Sequence, residues 1–197
     1  TISREFDAVI ATTQSHMFLR LAQSIPQDYR AKLASTNYLA AVLIILVLNR
    51  PLSNMYWLNI ADRSIPFVGV IEQTNLIEPN EYLGNHIVYL SNYLSRQHPL
   101  YHLNHTELLE EYLPHLKKIN NEFDRSWILN SFYQRVPAAQ PVIGTNYSSL
   151  MPEHRTPLNG VYLANTTQIY PQDRGTNYSV RMGRQIAKTV IRNHREG

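Results

Sequence analysis

Ten consecutive apolar residues, Leu39 to Leu48 (LAAVLIILVL), limit what this chain can become more than any other stretch of it. A helix that crosses a bilayer needs about 20 such residues, so this run is too short to span one. It is rich in Val and Ile, whose branched side chains favour strands, and it reads as a buried strand. Apolar and aromatic segments follow at Tyr56–Asn59, Phe67–Gln73 and His86–Tyr93 without a helical period between them. Strands succeeding one another in this way build an antiparallel sheet. Between the first two, Asn49 to Asn54 (NRPLSN) has turn chemistry compatible with a hairpin.

Helices and outlying strands flank this region. Phe6–Ala11 (FDAVIA) is a strand, and His16–Ser24 and Pro26–Ser35 are short helices, the second with Pro26 and Asp28 near its first turn. From Thr106 to Ile119, Leu108, Leu109, Tyr112, Leu113, Leu116 and Ile119 recur at helical spacing, acids precede lysines, and Pro114 is expected to bend the helix. Trp127–Val136 is a strand that Pro137 and Pro141 should close. Gly160–Ala164 (GVYLA) is a compact buried strand, followed by a polar loop and a last helix from Tyr178 to His194. The spacing assigns Val180, Gly183, Ala187, Val190 and Ile191 to that helix's inner face. Gly183 weakens a helix there unless a close neighbour requires it.

With 44% hydrophobic and 17% charged residues, the chain has the composition of a folded protein. The absence of cysteine excludes disulfides, thiolate metal sites and cysteine nucleophiles, and makes a cytoplasmic location the plainer expectation, with peripheral membrane association left open. The opening TISREFDAVIATT lacks a basic region followed by an apolar core, so no signal peptide is expected, and its abrupt start suggests a longer parent. Charge is uneven. From Pro171 to Gly197, six basic residues (Arg174, Arg181, Arg184, Lys188, Arg192, Arg195) face two acidic ones (Asp173, Glu196), a local charge of +4. Such a helix binds phosphate or nucleic acid, or is simply solvated.

The block GVYLANTTQIYPQDRGTNYSVRMGRQIAK is a strand, a glycine-containing loop and a helix start, where free N–H groups make a ready anion site. Arg174 and Arg181 could add charge-assisted bonds to phosphate. Strand-loop-helix is also ordinary structure. The wording of the block, however, resembles the last FAD-binding motif of the flavin amine oxidase, protoporphyrinogen oxidase and phytoene desaturase superfamily, with relatives of UDP-galactopyranose mutase. FDAVIATT resembles the strand returning to that family's FAD domain. YWLNIADRSIPFVGVIEQTNL, HIVYLSNYL, LPHLKKIN and RVPAAQPV are similar to its substrate-domain sheet.

The resemblance implies a FAD cofactor and hydride transfer between an organic small-molecule substrate and flavin. It places Ala164 and Asn165 near pyrophosphate and ribose, Gly175 at the loop end beside the flavin, and Asn177 and Tyr178 at its pyrimidine edge, with Arg174 on the phosphate side. Asn165 stands where the family usually has glycine. The chain lacks the GxGxxG fingerprint, and none of its seven glycines is spaced to cradle a pyrophosphate. A missing N-terminal FAD-binding region is thus an expected partner, and the chain alone is expected to be inactive and without FAD.

The fold expected is α+β, a mostly antiparallel substrate-domain sheet flanked by helices. Residues 1–13 would be the returning FAD-domain strand, 14–143 the substrate-domain-like region, and 144–197 the C-terminal FAD-binding strand-loop-helix. Glu72 and Asn75, at the end of an apolar strand, are substrate-side candidates, or else Glu72 is paired internally. His98, His102 and His105 cluster, but their spacing matches no known metal motif and no metal is expected. Thirteen tyrosines and two tryptophans read as core and sheet residues rather than as stacking platforms, so no nucleic acid is expected. Self-association through exposed strand edges is expected of the isolated chain. Two other readings stand beside the oxidoreductase: a non-catalytic interaction or structural domain, and a phosphate or nucleic-acid binder using the basic last helix.

Overall fold

The structure, a computed structural model, describes residues 2–196; Thr1 and Gly197, the outermost residues of the terminal segments assigned above, lie outside it. The fold is α+β and falls into two compact units, residues 1–37 with 141–197 (the terminal unit) and residues 38–140 (the inserted unit). Residues 14–37, grouped above with the middle of the chain, cluster with the terminal segments instead.

In the terminal unit the first elements are β1 (Val9–Ala11), α1 (Ser15–Leu21) and α2 (Gln27–Ala34). The inserted unit follows with β2 (Tyr38–Leu48), β3 (Trp57–Asn59), β4 (Gly69–Glu72), β5 (His86–Leu94), α3 (Pro99–His102), α4 (His105–Leu116) and β6 (Ile128–Pro141). The chain then returns to the terminal unit with α5 (Tyr147–Leu150), β7 (Val161–Leu163) and α6 (Thr176–Glu196).

The inserted unit's sheet has five strands in the order β3-β4-β5-β2-β6. β3 with β4, β4 with β5 and β5 with β2 are antiparallel. Asn49 N–H, just past β2, donates to Trp127 O, just before β6, so this pair also runs in opposite directions. The hairpin that this turn allows between β2 and β3 does not form, because the partners of β2 are β5 and β6. Turn chemistry at residues 49–54 fixed a reversal of the chain but not its destination. Along β2 the alternate residues Ala40, Val42, Ile44, Leu46 and Leu48 are fully buried. They pack with Val88 and Leu90 of β5 and with Leu108, Tyr112, Leu113 and Leu116 of α4. The residues between them are half-buried, so β2 is fully covered on one face and partly on the other.

Helix α4 begins with a capping box. Asn104 accepts from Glu107 N–H at 3.1 Å, and Glu107 accepts from Asn104 N–H at 2.8 Å. It continues through Pro114 to Leu116, and β6 continues through Pro137 to Pro141, so neither proline ends its element early.

In the terminal unit β1 and β7 are parallel, Val9 opposite Val161 and Ala11 opposite Leu163. Successive side chains alternate between faces, and the two cores follow that parity. Ala8, Tyr162 and Ala164 pack on Met182, Ile186 and Val190 of α6. Ala11, Val161 and Leu163 pack on Phe18 of α1, Leu33 of α2 and Ile25 between them. The inner face of α6 is therefore Met182, Ile186 and Val190. Val180, Gly183, Ala187 and Ile191, expected there, are exposed. Two stripes of this helix satisfy the 3.6-residue period, and the position of the sheet selects between them. No helix among the described residues is long and apolar enough to cross a membrane.

Candidate functional site

The carboxyl ends of β1 and β7 are tied together by Asn165. Pairing runs on past β7, with Ala164 N–H donating to Ala11 O at 2.9 Å. The Asn165 amide then joins the two following loops. Its Oδ1 accepts from Thr167 N–H at 3.0 Å and from Thr167 Oγ1 at 2.7 Å, and its Nδ2 donates to Thr13 O at 2.9 Å and Ser15 Oγ at 3.3 Å. Gln168 completes a second capping box by accepting from Asn165 N–H at 2.9 Å, and its Nε2 donates to Leu163 O at 3.0 Å. Tyr147 OH donates to Thr167 O at 2.7 Å. Ala164 and Asn165 are both buried. Where the resemblance has glycine, this chain places a buried amide that locks two loops.

The loop then leads to Gly175, whose carbonyl accepts from Ser179 N–H at 3.1 Å as α6 begins. The first N–H groups of any helix lack helical partners, and no acidic residue stands in the first turn of α6 to use them. Beside this helix start is a cleft of about 250 Å³ lined by Gln168, Ile169, Tyr170, Tyr178, Arg181 and Gln185 among others. Of the predicted cofactor residues, Tyr178 lines this cleft. Gly175 and Asn177 stand at the helix start, and Arg174 is half-buried just before it, its N–H donating to Asp173 Oδ1 at 2.8 Å. Arg184, Lys188 and Arg192 are exposed.

A second cleft of the terminal unit, about 430 Å³, is lined by Asp28, Tyr29, Lys32, Glu153, Arg155, Thr156 and Pro157. The Tyr29 hydroxyl is buried with no hydrogen-bond partner among the described residues. Burial and, less strongly, the Glu153 charge push its pKa up to about 12. Sequence reasoning missed this group, since its members are far apart in the chain and carry no motif. Asn165 and Gln168 did have a legible signal, the N-x-x-Q spacing of a capping box, which Asn104 and Glu107 repeat as N-x-x-E.

In the inserted unit, Glu72 is fully buried and holds the 52–53 turn. It accepts from Leu52 N–H at 2.9 Å, Ser53 N–H at 2.7 Å and Ser53 Oγ at 3.1 Å, with His86 Nδ1 4.0 Å away. Burial raises its pKa, and the bonds from Ser53 and Leu52 and the His86 charge oppose the rise. Asn75 Nδ2 donates to Ser53 O at 3.1 Å and Met55 O at 3.0 Å. Both side chains are thus engaged with the segment leading into β3.

The clustered histidines have separate contacts: His98 Nδ1 accepts from Leu100 N–H at 3.2 Å, His102 stacks edge-on against Tyr101, and His105 Nε2 meets Ser131 Oγ at 2.9 Å. Among the described residues no three or more His, Asp or Glu are grouped to hold a metal.

No protein-family profile and no curated protein matches the chain. Solved structures are similar in fold. A candidate protoporphyrinogen oxidase from Exiguobacterium sp. 255-15 superposes with a TM-score of 0.64 at 13% identity, over 94% of this chain and 41% of its own. A reduced UDP-galactopyranose mutase gives 0.59 at 18%, over 75% of this chain and 32% of its own. An oxidoreductase from Methanosarcina mazei gives 0.60 at 20%, over 82% and 38%. The chain therefore has their fold over less than half the length of each.

Proposed function

We propose that this chain is the carboxy-terminal part of a FAD-dependent oxidoreductase of the amine-oxidase superfamily, acting on a small organic substrate. The observation that carries the reading is the parallel pair β1–β7, whose carboxyl ends lead through the Asn165 junction toward the start of α6. In open α/β sheets, ligands lie outside the carboxyl ends of parallel strands. A helix start without acids, a half-buried Arg174 and a cleft edged by Tyr178 and Arg181 suit one side of an anionic, ring-bearing cofactor. The likeness in fold to two oxidoreductases and a mutase supports the same reading.

In this reading Arg174 and the N–H groups near Asn177 and Tyr178 hold the cofactor, and Gly175 allows its close approach. Ala164 and Asn165 act from behind by fixing both loops. FAD, when bound, supplies the hydride acceptor. The region carrying the dinucleotide fingerprint is a necessary partner, and the parent enzyme is cytoplasmic. Glu72 and Asn75 serve the substrate side by positioning the 52–55 segment ahead of the exposed Tyr56 and Trp57.

Spectroscopy tests the proposal. The isolated 197-residue chain should lose all flavin absorbance on desalting, while the gene product extended to the length of its structural relatives should retain it. In that longer product, Arg174→Ala should weaken FAD binding about 10-fold or more through loss of a charge-assisted bond. Arg184→Ala should leave binding unchanged. Equal losses would reduce the effect to a general positive field.

A further inference from the structure

The cleft of about 430 Å³ in the terminal unit is lined from α2 by Asp28, Tyr29 and Lys32, and from residues 153–157 by Glu153, Arg155 and Thr156. Both contributors are anchored. Leu33 holds α2 in the core beside Phe18 and Leu163. The other segment is tied to β7 and the loop after it. Leu163 N–H donates to His154 O at 2.8 Å, and Thr156 Oγ1 donates to Val161 O at 2.8 Å. Gln168 Nε2 donates to Pro152 O at 3.3 Å and Glu153 O at 3.2 Å. A cleft of this size between fixed segments lies within the range of preformed small-molecule sites. It shares no lining residue with the cleft beside α6, so its chemistry is independent of the cofactor reading.

The charges around this cleft do not satisfy one another. Asp28 and Lys32 stand one helical turn apart, the spacing at which an acid and a lysine pair on a helix surface. Yet none of the Asp28, Lys32, Glu153 and Arg155 side chains has an ion-pair or hydrogen-bond partner among the described residues. Exposed charges alone are content with water, but a buried hydroxyl is not. The Tyr29 ring packs on the core of Phe18, Ile25 and Leu33, and its buried hydroxyl has no partner among the described residues. That hydroxyl keeps its proton at neutral pH, so it is a donor without an acceptor. A simple anion in the cleft would be repelled by the two carboxylates, and a simple cation by the lysine and arginine. A molecule carrying both charges meets all four groups favourably.

We propose that this cleft binds a small zwitterion of the α-amino-acid class. Lys32 and Arg155 hold its carboxylate, to which the Tyr29 hydroxyl also donates, and Asp28 and Glu153 accept from its ammonium group. Thr156 shapes the cleft without reading the ligand, because its hydroxyl is engaged with Val161 O.

Titration calorimetry on the extended gene product, with each common α-amino acid in turn at millimolar concentration, tests it. At least one should bind. Its two truncated counterparts, the amine without the carboxylate and the acid without the ammonium, should each bind about 10-fold or more weakly. Lys32→Gln and Glu153→Gln should each weaken the best binder about 10-fold, and Tyr29→Phe about 5-fold. Arg184→Ala, outside the cleft, should leave its affinity unchanged. Without ligand, Tyr29→Phe should keep or raise the melting temperature, since the hydroxyl has no partner to lose. Failure of every amino acid to bind would overturn the proposal. So would an amine or acid that binds as tightly as its parent, since the cleft would then read one charge only. Equal losses from Arg184→Ala and Lys32→Gln would reduce the effect to a general field and overturn it too. A Tyr29→Phe protein that melts lower yet binds normally would show that the hydroxyl serves the fold, with the same consequence.

Discussion

Glu72 shows how a buried carboxylate is kept. Fully removed from solvent, it would be costly alone, and the Leu52 and Ser53 N–H groups with the Ser53 hydroxyl compensate it. Its folded pKa is raised above the ordinary 4.5. A raised carboxylate pKa means that the folded state holds the proton more firmly than the unfolded chain. Stability from this group is therefore present below the unfolded pKa and lost as pH rises through the folded value. Urea midpoints followed from pH 4 to pH 7 should show wild type falling relative to Glu72→Gln, with the loss beginning near pH 4.5. Glu72→Ala should cost about 1–3 kcal/mol in the same measurement, because the buried Leu52 N–H loses its acceptor.

Among the elements, two share one local device and differ in its setting. Asn104 and Asn165 both open capping boxes, but Asn104 is exposed while Asn165 is buried and also donates to Thr13 O and Ser15 Oγ. Asn104→Ala should destabilise by about 1 kcal/mol, the ordinary value of an N-cap. Asn165→Ala should cost about 2–3 kcal/mol, since it strands the buried Thr167 N–H and releases the loop after β1. Chemical denaturation of the two variants side by side checks the ranking, and equal losses would show that the Asn165 junction is only a cap. The period of α4 was legible in the sequence because it is local, whereas Asn165 and Gln168 stand in a stretch that reads as a polar loop. The sequence did not reveal which apolar stripe of α6 turns inward.

At the scale of the whole molecule, the two units have cores of unequal size. The inserted unit buries one large cluster built on β2, β5 and α4, whereas the terminal unit divides its apolar residues between two small clusters on either face of β1–β7. Burial scales with stabilisation, so the terminal unit should open first. Both tryptophans, Trp57 and Trp127, lie in the inserted unit, while α1, α2 and α6 lie in the terminal one. Tryptophan fluorescence and far-ultraviolet circular dichroism should therefore give different urea midpoints, with much of the helical signal lost first. Coincident curves would show that the chain unfolds as one cooperative body.

What the sequence by itself determined is the longer elements and their kind, not the one-turn helices α3 and α5. The apolar run at Leu39–Leu48, the period from Leu108 to Leu116 and the strand-loop-helix from Gly160 onward each specify a conformation through neighbours close in the chain. What only the tertiary structure decided is pairing and facing. β2 joins β5 and β6 rather than β3, Asn165 reaches back to Thr13, and α6 buries Met182 and Ile186 while Gly183 stays outside. The physical reason is the same in each case. Local rules fix backbone conformation, but several strand partners and helix faces satisfy them equally, and the choice is made by burial and hydrogen bonding among residues distant in the chain.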